Sequence, residues 1–172
     1  MHSYFIKDEK MFGKIITAVV TPFDESKKID FESFKKLLNH LVKTHTDTVL
    51  IAGTTGEAPT LTINEKIRLV CFAKEILPSN VKVMVGLGTN NTLTTLKDIK
   101  RFNKINVDGY LITTPYYNRP SQEGLYQHFK ACDAIATKPI IIYNVLSRCG
   151  VEVNFKTIIR LYHDCNHIVG LK

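Results

Sequence analysis

The chain reads as an α/β protein built on a parallel sheet, and three observations predict it. Short apolar segments alternate strictly with amphipathic ones, at a pitch of about thirty residues. The apolar segments lack period-two alternation, so both faces of each strand are buried, as in a parallel sheet covered by helices. Polar residues of chemical interest cluster just after the strands: Thr21, Thr54-Thr55, Thr114 to Asn118, Tyr143-Asn144 and Lys172. Alternation alone fits either an open doubly wound sheet or a (β/α)8 barrel. The ring of polar loops favours the barrel, where active sites form at the C-terminal ends of strands. The first strand runs into Thr21-Pro22-Phe23 and not into a G-x-G-x-x-G turn, which argues against a dinucleotide fold.

The elements follow in order. Lys14 to Val20 is β-branched and apolar, hence a strand, and Thr21-Pro22-Phe23-Asp24 breaks it. Phe31, Phe34, Leu37, Leu38, Leu41 and Val42 recur at helical spacing up to Thr44, with Asp30 placed to cap. Thr48 to Ala52 is a second strand, followed by Gly53-Thr54-Thr55-Gly56-Glu57. Thr62 and Glu65 form a capping box opening a helix that Leu77-Pro78 ends. Val81 to Val85 is a third strand, with Gly86-Leu87-Gly88 as the following loop and a helix from Thr92 to Ile105. Gly109 to Thr113 is a fourth strand, and Ser121 caps a helix reaching Ala136. Pro139 to Tyr143, a helix over Asn154 to Tyr162 and a last strand over His167 to Lys172 complete the pattern.

Composition is that of an ordinary globular chain: 172 residues, 44% hydrophobic and 23% charged. The net charge of +7 is spread over helix faces and does not mark a nucleic-acid surface; it can draw in small carboxylates. No apolar run is long enough to cross a bilayer. Residues 1–10 carry no apolar signal core and read as a short tail, with residues 11–172 forming the domain. Cys71, Cys132, Cys149 and Cys165 are scattered without a C-x-x-C pair, which suits a reducing cytoplasm. His163, Cys165 and His167 are too loosely spaced to read as a metal site.

Four stretches carry chemistry. Lys172 ends an apolar strand, as a solvated cap or as an amine whose pKa is lowered for Schiff-base formation. The glycines of Gly53 to Glu57 permit a tight turn that offers amides and the hydroxyls of Thr54 and Thr55 to a carboxylate. Tyr143 can shuttle a proton or stand as a rim aromatic, and Tyr117 lies in a proline-flanked loop. Arg148 can grip a carboxylate with two parallel hydrogen bonds or lie in water.

Together, Gly53 to Glu57, Thr114 to Ser121, Tyr143-Asn144-Val145 and Gly170-Leu171-Lys172 resemble the motifs of the pyruvate-dependent class I aldolases and lyases, specifically the dihydrodipicolinate synthases, from about Met11 onward. The resemblance implies a (β/α)8 barrel of which this chain supplies about the first six strands. It implies that Lys172 forms a Schiff base with pyruvate and that Tyr143 relays protons. Thr54 would link Tyr143 to Tyr117, the tyrosine that enters a neighbouring subunit's site. Amides around Thr54 and Thr55 would hold the pyruvate carboxylate, and Arg148 the carboxylate of L-aspartate-4-semialdehyde. No cofactor or metal is implied; a homo-oligomer, a dimer of dimers, is. Sialic-acid lyases share the lysine, tyrosine and glycine turn but generally lack Arg148 and the Asn118 to Ser121 run; hydroxy-oxoglutarate aldolases are the nearer alternative.

Three departures from the family pattern stand out. Leu146 replaces the usual proline, and Cys149 the usual threonine; loss of the proline is expected to free the loop carrying Arg148. Ile63, Lys66 and Thr94 offer no histidine or glutamate for inhibitory lysine, although Asn90 and Tyr116 match, which implies weak or absent feedback. A barrel needs eight strands, and the last here is the sixth. The expectation is a fragment or shortened product with open sheet edges, either part of the synthase or a non-catalytic remnant, whose Lys172 is too poorly desolvated for its pKa to fall.

Overall fold

Asp30, Thr62, Asn91, Ser121 and Asn154 each turn a side-chain oxygen onto the backbone amide three residues ahead, and the five long helices start from these caps. The structure is a computed structural model that describes Phe5, Ile6 and residues 11–172. The tail expected over residues 1–10 otherwise lies outside the described residues. The strands are β1 (Phe5–Ile6), β2 (Ile16–Ala18), β3 (Thr48–Ile51), β4 (Lys82–Leu87), β5 (Gly109–Thr113), β6 (Ile140–Tyr143) and β7 (Ile168–Leu171). The helices are α1 (Phe31–Lys43), α2 (Ile63–Ile76), α3 (Thr92–Phe102), α4 (Gln122–Ile135), α5 (Leu146–Cys149) and α6 (Phe155–Asp164). The chain divides into two compact units: Glu9–Gly86 with Ile105–Asp108, and Met1–Asp8 with Leu87–Lys104 and Gly109–Lys172.

In the first unit β2, β3 and β4 are parallel, with Ile16 opposite Thr48 and Thr48 opposite Lys82. Val49, Leu50, Ile51, Val83, Met84 and Val85 are all buried, as expected of strands covered on both faces. Phe34 and Leu38 of α1 and Leu69, Val70 and Ala73 of α2 are buried too. The ring of Phe72 meets Phe31 at 5.0 Å and Phe34 at 6.2 Å. Two carboxylates fasten strand ends. Asp47 accepts from the amides of Lys14 and Ile15 at 2.8 and 2.9 Å. Asp108 accepts from the Val83 amide at 2.8 Å and pairs with Lys74 at 2.9 Å.

In the second unit β5, β6 and β7 are parallel, and β1 lies antiparallel on β7, with Phe5 opposite Leu171. Asp133 of α4 accepts from the amides of Asn166 and His167 at 3.3 and 2.6 Å, which fixes the start of β7. Tyr126 of α4 donates to Asp164 of α6 at 2.5 Å, with the Arg160 guanidinium 3.9 Å from its ring centre.

His128 of α4 is buried, with Nδ1 2.9 Å from the Thr92 hydroxyl of α3. Burial pushes its pKa from 6.5 down to about 4. The fold therefore favours the neutral ring. Its contribution is complete above pH 6.5 and is lost as pH falls toward about 4. Unfolding free energies from urea titrations across that window should decline less in His128→Gln than in the parent, by up to about 3 kcal/mol at the acid end. Parallel curves for the two proteins would rule this out.

Several boundaries differ from the sequence expectation. β2 covers only the middle of Lys14 to Val20. β4 runs through Gly86 and Leu87, which were expected to be loop. A Cβ on Gly86 would lie 2.1 Å from the Ala52 carbonyl oxygen, so the glycine serves a close approach of two backbones within the sheet. α3 ends at Phe102 and not at Ile105; Asn103 closes it, its amide donating to the Ile99 carbonyl at 2.8 Å. The 3-10 turn Ala58–Thr60 and α5 were not anticipated; at three and four residues they are too short to show a hydrophobic period.

Candidate active site

β7 carries an irregularity that decides where Lys172 points. Ile140 faces Ile168, but the next residue, Ile141, faces Gly170, so Val169 is an extra residue. Side chains alternate along a strand, and an inserted residue switches the face of everything after it. Beyond the bulge the Lys172 amide donates to the Ile142 carbonyl and the Asn144 amide to the Lys172 carbonyl, both at 2.9 Å. Lys172 is thereby opposite Tyr143, and Tyr143 opposite Thr113. Three adjacent strands thus end in a row of Thr113, Tyr143 and Lys172 on one face. Without the bulge Leu171 would stand beside Tyr143 and Lys172 on the other side of the sheet.

Lys172 is half-buried, and its Nζ is 5.3 Å from the centre of the Tyr143 ring. Burial holds its amine below the usual lysine range. This corrects the expectation of an undesolvated lysine: the bulge turns the side chain onto the strand-end face, where Tyr143 is 8% exposed. An amine and a phenol side by side have the chemistry of a nucleophile and a proton carrier.

The segment after β6, expected as a freed loop, closes into a hydrogen-bonded helical turn. Asn144 clasps Val153 in both directions, accepting from its amide at 2.7 Å and donating to its carbonyl at 3.0 Å. Leu146 to Cys149 close a helical turn, with the amides of Arg148 and Cys149 both 3.0 Å from the Val145 carbonyl. Gly150, at φ 71°, ends it in the left-handed region that suits glycine. Arg148 is exposed on this turn and Cys149 is buried beneath it.

After β5 the chain folds back on the same end of its sheet. The Thr114 amide donates to the Tyr143 carbonyl at 3.3 Å. Asn118 and Asn90 bond each other, Asn118 donating to the Asn90 carbonyl at 2.7 Å. Tyr117 and Arg119 take left-handed backbones, at φ 71° and 47°. Tyr117 is 88% exposed, so the structure does not bring it onto Lys172 and Tyr143.

Thr54 and Thr55 belong to the first unit, in the turn after β3, and both are exposed. The turn is tight: the Gly56 amide donates to the Gly53 carbonyl at 3.1 Å and the Glu57 amide to the Thr54 carbonyl at 3.1 Å. Thr21 donates its hydroxyl to the Gly56 carbonyl at 2.8 Å, tying the end of the β2 segment to this turn. A Cβ on Gly56 would lie 2.9 Å from the Val19 carbonyl oxygen, which explains the second glycine. Sequence reasoning missed Thr113 and the bulge at Val169. Thr113 carried no signal beyond its place at a strand end, and a bulge depends on the neighbouring strand.

The family model of the dihydrodipicolinate synthetase family matches residues 11–172. The 4-hydroxy-tetrahydrodipicolinate synthase of Bacillus subtilis is 42% identical over 161 residues, which are 94% of this chain and 56% of that protein. A crystal structure of dihydrodipicolinate synthase from Bacillus anthracis aligns with a TM-score of 0.87 at 41% identity, over 91% of this chain and 53% of that one. A chloride-inhibited dihydrodipicolinate synthase from Acinetobacter baumannii, solved in complex with pyruvate, aligns at 0.88 with 35% identity, over 92% and 54%. The chain spans about half the length of the relatives it matches. Its fold is that of the first six strands of a (β/α)8 barrel, with the helices that connect them. The matched span and these identities place the chain in the dihydrodipicolinate synthetase family.

Proposed function

We propose that this chain carries the Schiff-base half of a synthase that condenses pyruvate with L-aspartate-4-semialdehyde to 4-hydroxy-tetrahydrodipicolinate, in the diaminopimelate route to lysine. The observation that carries this reading is the bulge-set pairing of Lys172 with Tyr143. The neutral Lys172 amine attacks C2 of pyruvate, and water leaves as the iminium forms. The iminium nitrogen is the electron sink, so the reading invokes no organic cofactor. Loss of a proton from C3 gives the enamine, whose carbon attacks the aldehyde of the second substrate. Its amino group then adds at C2, the ring closes, and Lys172 is released. Tyr143 carries the protons of these steps. The family resemblance gives Thr54 the part of a relay hydroxyl. The exposure and left-handed backbone of Tyr117 suit a side chain presented to a neighbouring subunit. Amides at Thr54 and Thr55 hold the pyruvate carboxylate, and exposed Arg148 holds that of the semialdehyde. A homotetramer built as a dimer of dimers, working in the cytoplasm, completes the reading. Among the described residues no helix is long and apolar enough to cross a membrane.

The test is product formation from the two substrates, read by mass spectrometry as their summed mass less one water. Tyr143→Phe should slow turnover by about 10²–10⁴-fold while Lys172 still forms its pyruvate adduct, because the phenol moves protons and the amine makes the bond. Condensation unaffected by Tyr143→Phe would remove Tyr143 from the mechanism. A product built from pyruvate and another aldehyde in preference would assign a sister aldolase.

A further inference from the structure

We propose that Thr113 and Cys149 form a positioning pair that holds the Arg148 turn in place for a carboxylate-bearing second substrate. The substrate half of this inference rests on the reading above; the hold on the turn does not.

The argument starts from Thr113, at the end of β5. Its methyl group is seated on Gly88: a Cβ there would lie 2.8 Å from Thr113 Cγ2 and 2.9 Å from its amide nitrogen. Gly88 has φ +104°, a backbone closed to most side chains, so the seat is kept by glycine. With the methyl so placed, the hydroxyl is 3.2 Å from its neighbour's carbonyl, on Thr114, and 3.2 Å from Cys149 Sγ. A hydroxyl has one proton. When it goes to the Thr114 carbonyl, the thiol donates to Thr113 Oγ1, and both groups are satisfied.

Cys149 is the inward root of an otherwise outward turn. It is 3% exposed, whereas Leu146, Ser147, Arg148 and Gly150 are all exposed. The turn opens on Leu146 and holds no proline, so its geometry rests on contacts. The Asn144–Val153 clasp secures the flanks, and the Thr113–Cys149 pair is the side-chain hydrogen bond reaching from β5 into the turn itself. Arg148 immediately precedes Cys149, so a shift of the thiol shifts the guanidinium. Displacements of about 1 Å in such a group are enough to matter for substrate placement. Thr113 also shares the face of Tyr143 and Lys172. The pair therefore fixes the turn bearing the carboxylate grip against the end of β5.

The test compares Thr113→Val, which keeps the shape and removes the hydroxyl, with Cys149→Ala and Cys149→Ser. Two readouts are needed. Amide hydrogen exchange over residues 145–151 reports the turn, and steady-state kinetics with pyruvate and L-aspartate-4-semialdehyde report the site. Thr113→Val and Cys149→Ala should each speed exchange and raise the semialdehyde KM about tenfold, the cost of one such hydrogen bond. Pyruvate KM and kcat should stay within about twofold, since Lys172 and Tyr143 are untouched. Cys149→Ser, which can still bond Thr113, should restore most of the loss, and the double variant should be no worse than either single one. Unchanged exchange and KM in both single variants would overturn the proposal. So would a Cys149→Ser no better than Cys149→Ala, or an equal loss for both substrates, which would mean a general collapse. If the unsubstituted chain forms no product while exchange still follows the pair, the proposed reaction and the substrate assigned to the turn fall together.

Discussion

Borohydride added to the chain with pyruvate is expected to leave a reduced adduct on Lys172, and Lys172→Met to abolish it. The amine must be neutral to attack, and burial favours the neutral form of a lysine. The contrast within the chain is Lys130, whose ammonium is held by the Tyr126 hydroxyl and pushed above the ordinary range. The sign of the pH dependence follows. The trapping rate should rise with pH and level off at a lower pH than for a free lysine side chain, because the Lys172 pKa is depressed. Where turnover is measurable, Lys172→Met should cut it by more than about 10³-fold, since only binding and orientation remain without the nucleophile. Peptide mapping checks the site of modification. Adduct spread over surface lysines, or none on Lys172 in a chain whose exchange pattern shows it folded, would withdraw the nucleophile assignment.

Gly86→Ala is expected to destabilise the fold by about 3 kcal/mol or more, among the larger effects of a single methyl group. The added carbon would stand 2.1 Å from the Ala52 carbonyl oxygen and 2.8 Å from its carbon. Both are backbone atoms, and neither side can give way easily. Ala52 already has a left-handed backbone, at φ 52°, and leads directly into the Gly53 to Glu57 turn. The residues before it, Val49 to Ile51, are buried and locked in register with β4. The substitution should therefore move the urea midpoint strongly. Gly124→Ala, in the first turn of α4, is the control. Its Cβ would meet a Pro120 side-chain carbon at 3.2 Å, and its effect should stay within about 1 kcal/mol. Equal midpoints for Gly86→Ala and the parent would show that the two backbones can separate.

What was legible in the sequence was local. The caps Asp30, Thr62 and Ser121 act within one helical turn, so their pattern predicts the helix starts. The strand cores were legible because burial on both faces demands unbroken apolar runs such as Ile140 to Ile142. The polar strand ends marked where strands give way to loops for the same reason: a residue just past an apolar run has left the core. Tertiary structure decided the rest. Gly86 belongs to a strand and not a loop because Ala52, far away in the chain, comes within reach of it. The Leu146 to Cys149 turn is held by Val145 and Thr113 despite the missing proline. The face Lys172 presents depends on one extra residue in β7, and that residue is extra only relative to β6. Propensity and periodicity are properties of a single segment. Register, close approach and desolvation belong to pairs of segments, and they turn a lysine at the end of a strand into a candidate nucleophile.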